Sequence, residues 1–378
     1  MKRKIDFYMH DLGEEELEEI AKVFKNPILT TGDTVARFEK EFASFLDKKF
    51  AYGVTSCTAA LHLSLLAVGI REGDEVITSP MTFLATANAI IHAGAKPVFV
   101  DVEKNTGNID PDLISKKITN KTKAIIPIHL YGQMCDMKAI SRIANQNGLR
   151  VIEDCAHCVE GVRDGIKPGD LSDAACFSFF ATKNLTCGEG GAITTNNKEL
   201  ADLIPLLRLH GMTKTAADRF KEGYKPYDMS LVGWKYNMDN IQAAILLPQL
   251  KRVREKLQTR RQLASHYANL LSSLPGICLP ETIENTTHAH HLFPVWLRNC
   301  KISRNEIITR LKDRGIITTV NYSAIHLYTY FKKELGYKKG DFPVAELIGE
   351  NTISLPFYPS MDIENIAIVV SELEKILS

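Results

Sequence analysis

The chain has 378 residues, of which 45% are hydrophobic and 24% are charged, and its formal net charge at pH 7 is +1. This length can bury a large core and predicts two domains, and the composition is ordinary for a globular protein. The charge gives no general attraction to nucleic acid or to an anionic membrane, so we expect small-molecule partners.

The N-terminus is basic over residues 1–7, but Asp11 and Glu14 follow it instead of an apolar segment. This pattern predicts no signal peptide, and no apolar run reaches the roughly 18 residues of a membrane span. Eight cysteines scattered over the chain are typical of reduced thiols and not of a disulfide framework. We therefore expect a cytoplasmic protein.

Strand and helix patterns alternate through the first half of the chain. After an N-terminal arm with a helix around residues 14–24, the predicted order is helix 34–46, strand 51–54, helix 58–68, strand 75–78, helix 82–93, strand 97–102, helix 110–118, strand 124–129, helix 136–147 and strand 150–153. Strands joined by helices form right-handed crossovers and a mainly parallel sheet with helices on both faces. The predicted fold class is therefore α/β, with a three-layer α/β/α large domain.

Hydroxyl-rich residues, Ser56 and Thr58 among them, lie between strand 51–54 and the helix that follows it. Free N–H groups and the helix dipole at such a helix start bind phosphate. An ordinary N-cap accounts for the same residues.

Asp154 ends the apolar strand pattern that begins at Arg150. Open α/β sheets bind ligands at such strand ends. A carboxylate about 4 Å from a ring nitrogen favours the protonated ring by roughly 4 kcal/mol at an effective dielectric constant of 20, or about three pKa units. It would keep a pyridine nitrogen protonated. The alternative is that Asp154 is a carboxylate exposed to solvent at the end of a strand.

Lys183 lies between an apolar strand pattern at residues 174–180 and a second strand pattern at 192–195, with glycines at 188, 190 and 191. Loss of solvation among aromatic residues lowers the pKa of a lysine and makes the neutral, nucleophilic amine accessible. A lysine that extends its ammonium group to water is the alternative. The order of phosphate-type turn, acidic strand end and lysine loop favours a cofactor site.

The second half of the chain is less regular. It predicts a helix near 198–207, an irregular stretch at 211–235, a helical pattern over 239–272 with a kink or break at Pro248, strand 291–297, helix 303–314, a segment around 316–322 and helix 362–376. We place the arm and the large domain at residues 1–250 and a smaller α+β domain at 251–378.

Two groups of metal-ligand residue types occur in the chain. Cys155 and Cys158 have the spacing of a redox or metal pair, but no second pair follows them. Three histidines occur at 288, 290 and 291, where alternation along a strand would send His290 and His291 to opposite faces. We therefore expect no metal site.

The chain resembles the DegT/DnrJ/EryC1/StrS family of sugar aminotransferases, which have the type I fold of enzymes that use pyridoxal phosphate (PLP). The matching stretches are residues 58–62, 73–77, 81–88, 97–102, 152–157, 177–191 and 236–244. Many members have Asn-Gly where this chain has Ser56-Cys57. The resemblance covers nearly the whole chain.

The resemblance implies a role for each matched position. Lys183 matches the lysine that binds PLP covalently, and Asp154 matches the partner of the pyridine nitrogen. Phe83 matches an aromatic residue stacked on the cofactor, and His157 matches a residue that binds the ring hydroxyl. The remaining matches are the phosphate contacts Thr58, Ala59 and Ser178, and Asn237, a phosphate ligand from the neighbouring subunit of a homodimer with shared active sites. Core packing of Phe83, a structural His157 and a strand hydroxyl at Ser178 are the alternatives.

The resemblance also implies transfer of an amino group from L-glutamate to a nucleotide-linked keto sugar. Residues 183–191 and 321–326 are similar to members that aminate position 4 of a sugar, including the UDP-4-amino-4-deoxy-L-arabinose aminotransferases, and His326 matches a histidine near the substrate. We therefore expect a UDP-linked 4-keto sugar and a role in lipid A or another surface glycan. A 3-keto sugar and a dTDP or GDP nucleotide stay open.

Three other classes of protein compete with this assignment. A PLP-dependent sugar dehydratase has histidine at the position of Lys183. A non-catalytic regulator of the same fold would be expected to lose Asp154 or Lys183, and both are present. A binding protein without PLP would purify colourless.

Overall fold

The computed structural model describes residues 4–214 and 226–378. Its helices, numbered α1 to α12 here, are Glu14–Phe24, Asp33–Phe45, Cys57–Ala67, Leu84–His92, Pro111–Ile114, Met137–Asn147, Lys198–Leu207, Asn240–Leu271, Arg304–Asp313, Thr329–Leu335, Pro343–Asn351 and Ile363–Leu377. Its strands, β1 to β12, are Phe50–Val54, Glu75–Thr78, Lys96–Phe99, Thr122–Ile126, Arg150–Asp154, Val162–Arg163, Ala174–Ser178, Gly191–Thr195, Ile277–Cys278, Thr286–Thr287, Phe293–Leu297 and Thr352–Leu355.

Seven strands form the central sheet in the order β1-β8-β7-β5-β4-β2-β3. The pairs from β7 through β3 are parallel, and β8 runs antiparallel to both β1 and β7. The carboxyl ends of β1, β5 and β7 therefore meet at one edge. The predicted α/β fold with a mainly parallel sheet is confirmed.

Both faces of the sheet are buried, which explains the continuous apolar pattern of β7. Ala174 and Cys176 pack on one face in a cluster with residues of α3 and α7. Ala175 and Phe177 pack on the other face with residues of α2 and α8. Phe42 of α2 meets Phe177 edge to face at 5.1 Å, an arrangement worth about 0.5–1.5 kcal/mol beyond the area buried.

The C-terminal part contains a three-stranded antiparallel sheet in the order β12-β11-β9. Its core joins Val295 of β11 and Ile353 of β12 to Val369 of α12 and Tyr267 of α8. Ile5 from the N-terminus belongs to the same cluster. Parts of the chain that are distant in sequence therefore share this core.

The structure differs most from the predicted elements in two places. Helix α8 runs through Pro248 without a break and crosses the proposed domain boundary at 250/251. Helices α10 and α11 and strand β12 occupy a region for which the sequence predicts no elements. These elements are short, and α11 leads directly into β12, so no long periodic pattern marks them.

The irregular stretch at 211–235 falls partly on residues 215–225, outside the described residues. Within the described ranges, none of the helices has both the length and the apolar character that a membrane span requires.

Candidate active site

A cavity of about 650 Å³ is lined by residues at and just beyond the ends of β1, β5 and β7. Its volume falls in the range of about 300–1,000 Å³ typical of small-molecule sites. The predicted site residues that line it are Thr58, Phe83, Asp154, His157, Ser178 and Lys183. The fold therefore brings together side chains that are far apart in the sequence.

The connection between β7 and β8 holds Lys183 at the cavity wall. The N–H of Lys183 donates to the carbonyl of Phe180 at 2.9 Å, and the N–H of Phe179 donates to the carbonyl of Gly190 at 2.8 Å. Burial lowers the pKa of the Lys183 ammonium from 10.5 to about 8, while Asp154 and Cys57 act in the opposite direction. A nucleophilic neutral amine is therefore accessible near neutral pH.

Gly191 begins β8 where the strand passes the first turn of α3. A Cβ at Gly191 would lie 2.4 Å from the carbonyl carbon of Ser56 and 2.6 Å from the nitrogen of Cys57, so the backbone itself would have to move. We expect Gly191→Ala to lower the free energy of unfolding by about 1–3 kcal/mol through overpacking, as measured by chemical denaturation. Gly188→Asn is the matched control, because Gly188 has open space around it and a φ of +83° that Asn tolerates. An equal loss in the control would contradict the steric explanation.

Asp154 presents a buried carboxylate to the cavity from the end of β5. Its Oδ2 accepts a hydrogen bond from Thr86 Oγ1 at 2.7 Å, and its Oδ1 accepts one from the N–H of Ala156 at 3.1 Å. Burial raises the pKa of Asp154, against the hydrogen bonds from Thr86 and Ala156 and the charge of Lys183. A cationic group facing this carboxylate would lower the pKa of Asp154 again, and the carboxylate would in turn hold the cation in place.

The first turn of α3 offers N–H groups and hydroxyls to an anion. Ser56 is the N-cap, and its Oγ accepts a hydrogen bond from the N–H of Ala59 at 3.0 Å. The N–H groups of Cys57 and Thr58 precede Ala59 in a turn where helix geometry supplies no backbone acceptor. Ser56, Thr58 and Ser178 all line the cavity, so their hydroxyl groups and the free N–H groups of this turn are available to an anion such as phosphate.

Phe83 lies just before α4, and its side chain lines the cavity while remaining 59% exposed. Core packing, the alternative left open by the sequence, does not account for such exposure. An exposed aromatic face in a ligand cavity is suited to stacking on a planar ring.

His157 is held as a single neutral tautomer. Its Nδ1 accepts a hydrogen bond from the N–H of Tyr131 at 3.2 Å, so the proton lies on Nε2, 3.0 Å from the hydroxyl oxygen of Tyr322. Burial and then the charge of Lys183 place the pKa of His157 well below its usual value. The Nε2–H group can therefore donate to an oxygen in the cavity.

These residues fit PLP. A buried carboxylate suits a protonated ring nitrogen, an exposed phenyl ring suits the ring face, and an imidazole N–H suits a ring hydroxyl. Hydroxyls at a helix N-terminus suit the phosphate, and a lysine amine of lowered pKa suits the aldehyde. When bound, PLP supplies an electron sink for the substrate carbon.

Two of the predicted cofactor contacts lie outside the cavity of their own chain. Ala59 gives its N–H to Ser56 and does not line the cavity. Asn237 forms a β-bridge with Val54, donates to Thr31 Oγ1 at 2.7 Å and accepts from Lys235. A role for Asn237 in a site therefore requires the cavity of another subunit.

The assignment of His326 as a substrate contact needs correction. Its ring is fully buried, lies 4.7 Å from the ring of Phe342, and has Nε2 3.0 Å from the Glu346 carboxylate. The cavity is lined instead by Asn321, Tyr322 and Tyr328 from the same region. The short helix at Ile325–Leu327 turns His326 away from the cavity.

Sequence reasoning missed His291, whose Nε2 lies 3.4 Å from Lys183 Nζ. The expected alternation does not apply, because β11 begins only at Phe293 and His290 has a φ of +47°. The rings of His288 and His290 stack on each other at 4.3 Å, and His291 lies against His157 at 4.5 Å. No local pattern in the sequence distinguishes His291 from the other two histidines.

The residues that the structure describes contain one compact group of metal-ligand types, namely His129, Glu153 and Cys155. His129 Nε2 lies 2.7 Å from Glu153, and His129 Nδ1 accepts from the N–H of Cys135 at 3.1 Å. The second oxygen of Glu153 accepts from the N–H of Gly169 at 2.8 Å. Hydrogen bonds within the protein thus account for this group.

Comparison with known proteins extends over almost the entire chain. The model of the DegT/DnrJ/EryC1/StrS aminotransferase family matches residues 10–374. The spore coat polysaccharide biosynthesis protein SpsC of Bacillus subtilis is 44% identical over 370 residues, which are 97% of this chain and 95% of SpsC.

Solved structures show the same similarity. The PMP-form of the putative sugar aminotransferase Spr1654 from Streptococcus pneumoniae has a TM-score of 0.93 at 29% identity and covers 98% of both chains. DesV from S. venezuelae has a TM-score of 0.91 at 32% identity and covers 99% of both chains. Spr1654 has also been solved in a PLP-form.

Proposed function

The chain belongs to the DegT/DnrJ/EryC1/StrS aminotransferase family and is a PLP-dependent sugar aminotransferase, and we propose that it moves an amino group from L-glutamate to a UDP-linked 4-keto sugar. The observation that carries the proposal is one cavity that joins Lys183 and Asp154 to the segment Asn321–Ser323. That segment is part of the stretch that resembles members acting at position 4. The proposed product serves a surface polysaccharide, a role that the name of SpsC supports.

In this proposal each side chain has a defined role. The Lys183 amine takes the proton from the donor α-carbon and delivers it during exchange of the amino group. Asp154 would stabilise a protonated ring nitrogen of the cofactor, Phe83 would stack on the ring, and His157 would donate a hydrogen bond to the ring hydroxyl. The hydroxyls at the start of α3 would hold its phosphate, and binding at both ends would limit how far the cofactor can move relative to Lys183.

The acceptor is tested by single turnovers. The enzyme is first loaded with L-glutamate and then given UDP-, dTDP- or GDP-linked 4-keto and 3-keto sugars, and the amino sugar is measured by mass spectrometry. We expect the UDP-linked 4-keto sugar to react fastest, because a site built to hydrogen-bond a substrate group rejects analogues that leave polar groups unpaired. Lys183→Ala is treated in the same way as a control, and any amino sugar that it forms is the background that does not depend on Lys183. Faster reaction of a 3-keto sugar would overturn the position, and faster reaction of a dTDP or GDP sugar would overturn the nucleotide.

We further propose that the active unit is a homodimer with shared sites. Lys183 is the only lysine or arginine among the described residues that line the cavity. Glutamate and a nucleoside diphosphate carry several negative charges, so we infer that further cationic groups come from a second subunit. The irregular segment that leads to Asn237 also exposes Met229 and Val232, the latter at 74%, as a subunit interface would.

A mixing experiment tests the shared site. Lys183→Ala chains and Asn237→Ala chains are each expected to form weakly active or inactive dimers. Mixed dimers should regain activity, because one of their two sites combines an intact Lys183 with an intact Asn237 from the other chain. Mixed dimers confirmed by native mass spectrometry but without recovered activity would show that each site is built from a single chain.

A further inference from the structure

A line of hydrogen-bonding groups lies behind Lys183. Lys183 Nζ is 3.4 Å from Nε2 of His291, and Nδ1 of His291 is 3.4 Å from Oδ1 of Asn184. His291 is 6% exposed, so its ring is enclosed by protein. The roles assigned above to the cavity residues do not use it.

The direction of these hydrogen bonds is fixed by the groups around Asn184. Its Nδ2 donates to Oε2 of Glu160 at 3.2 Å and to the carbonyl of Ala289 at 3.1 Å, so its Oδ1 must face His291. Glu160 is held in turn by a buried ion pair with Arg260. Because Oδ1 only accepts, the proton of His291 lies on Nδ1, and the lone pair of Nε2 faces the Lys183 amine.

Burial is the main reason that His291 is neutral. Burial, followed by electrostatic interactions with Lys183, His157 and Arg260, places the pKa of His291 well below its usual value. Burial lowers the pKa of Lys183, and the groups that act against this effect are Asp154 from β5 and Cys57 from α3. His291 therefore presents a neutral acceptor to the amine.

We propose that His291 is a positioning residue for Lys183, accepting one N–H of its amine through Nε2 in a tautomer that Asn184 imposes. Turnover frees this amine from the cofactor, and an unrestrained lysine side chain would rotate among several conformers. With one N–H bound by His291, the amine would have fewer conformers while remaining at the cavity wall. The proposal concerns the amine alone and does not depend on which sugar is the acceptor.

The test measures the Lys183 amine in the full-length chain after removal of PLP. Lys183 is labelled with acetic anhydride across a pH series, and the labelled peptide is quantified by mass spectrometry. We expect a midpoint near pH 8 in the wild type, from the pKa given above, and a midpoint about one pH unit lower in His291→Phe. The midpoint falls because a neutral acceptor stabilises the ammonium more than the amine. His291→Gln returns an acceptor oxygen and should restore the wild-type midpoint.

A matched control and a second variant complete the test. His290→Asn removes the neighbouring imidazole at a positive φ that Asn tolerates, and its midpoint should stay at that of the wild type. Asn184→Ala leaves His291 in place but removes the acceptor that keeps the proton on Nδ1, so the Lys183 midpoint of this variant should also fall. If His291→Phe does not fold, the labelling midpoint of Asn184→Ala decides the test. A midpoint below that of the wild type supports the proposal, and a midpoint equal to that of the wild type overturns it.

Kinetics provide an independent readout. We expect His291→Phe to slow the glutamate half-reaction roughly 10–100-fold, by analogy with the loss of a residue that orients a metal ligand. His291→Gln should recover most of the lost rate. The effects of His291→Phe and Asn184→Ala should not add, since both act through one contact. A wild-type midpoint in a folded His291→Phe variant, or equal defects in the Phe and Gln variants, would overturn the proposal. Labelling uses neither donor nor sugar, so an error in the proposed acceptor leaves this test intact.

Discussion

Lys183→Ala is expected to abolish aminotransferase activity, with a fall in turnover of at least about 10⁴-fold, because in the proposed mechanism the same amine both binds the cofactor and moves the proton. Lys183→Arg should be equally inactive, since a guanidinium stays protonated at every accessible pH. Turnover is measured as 2-oxoglutarate released from L-glutamate. Lys198→Ala, which removes an exposed lysine paired with Asp202, is the control and should keep wild-type activity.

Chemical trapping identifies the lysine directly. Borohydride reduction of the wild-type enzyme should leave the cofactor attached to the peptide that contains Lys183. Attachment to a different lysine, or substantial turnover by Lys183→Ala, would contradict the assignment.

The lowered pKa of Lys183 also has a consequence for stability. In the chain without PLP, the folded state holds this ammonium less readily than the unfolded state, whose lysine titrates near 10.5. The folded form therefore bears a cost below pH 8 that disappears as the pH rises from about 8 towards 10.5. Lys183→Met should accordingly be more stable than the wild type at pH 7, and the difference should close at high pH.

The parts of the site that the sequence predicts are those with strong local patterns. Asp154 ends a buried strand, and Lys183 follows another, and a strand buried on both faces has a continuous apolar run that marks its end. The start of α3 carries a hydroxyl N-cap that is visible in the sequence. The large sheet and its helices were predicted for the same reason.

The remaining parts depend on contacts between distant segments. His291 lies 108 residues from Lys183 in the sequence, and an irregular backbone around His290 brings it there. The prediction that His326 contacts the substrate is wrong because the resemblance of residues 321–326 to other family members does not determine which side chains of the short helix at 325–327 face the cavity. Similarly, α8 serves both parts of the molecule, so a domain boundary set at residue 250 divides a continuous helix.

Asp154→Asn should retain the fold but reduce turnover about 10³-fold. The substitution keeps the size of the side chain and an acceptor for Thr86 or Ala156, while removing the negative charge that faces the cavity. That charge is worth roughly 4 kcal/mol to a cationic group about 4 Å away at an effective dielectric constant of 20, and each 1.36 kcal/mol is a factor of ten. The measurement is the rate of the glutamate half-reaction in single turnovers.

Thr86→Val separates the charge of Asp154 from its orientation. This variant removes the 2.7 Å hydrogen bond to the carboxylate but leaves the carboxylate itself. Because one hydrogen bond to a charged group contributes about 1.5–3 kcal/mol, we expect a loss of roughly 10–100-fold, smaller than that of Asp154→Asn. Equal losses in the two variants would mean that Asp154 acts mainly through its geometry. Near-normal turnover by Asp154→Asn would show that another group stabilises the ring nitrogen.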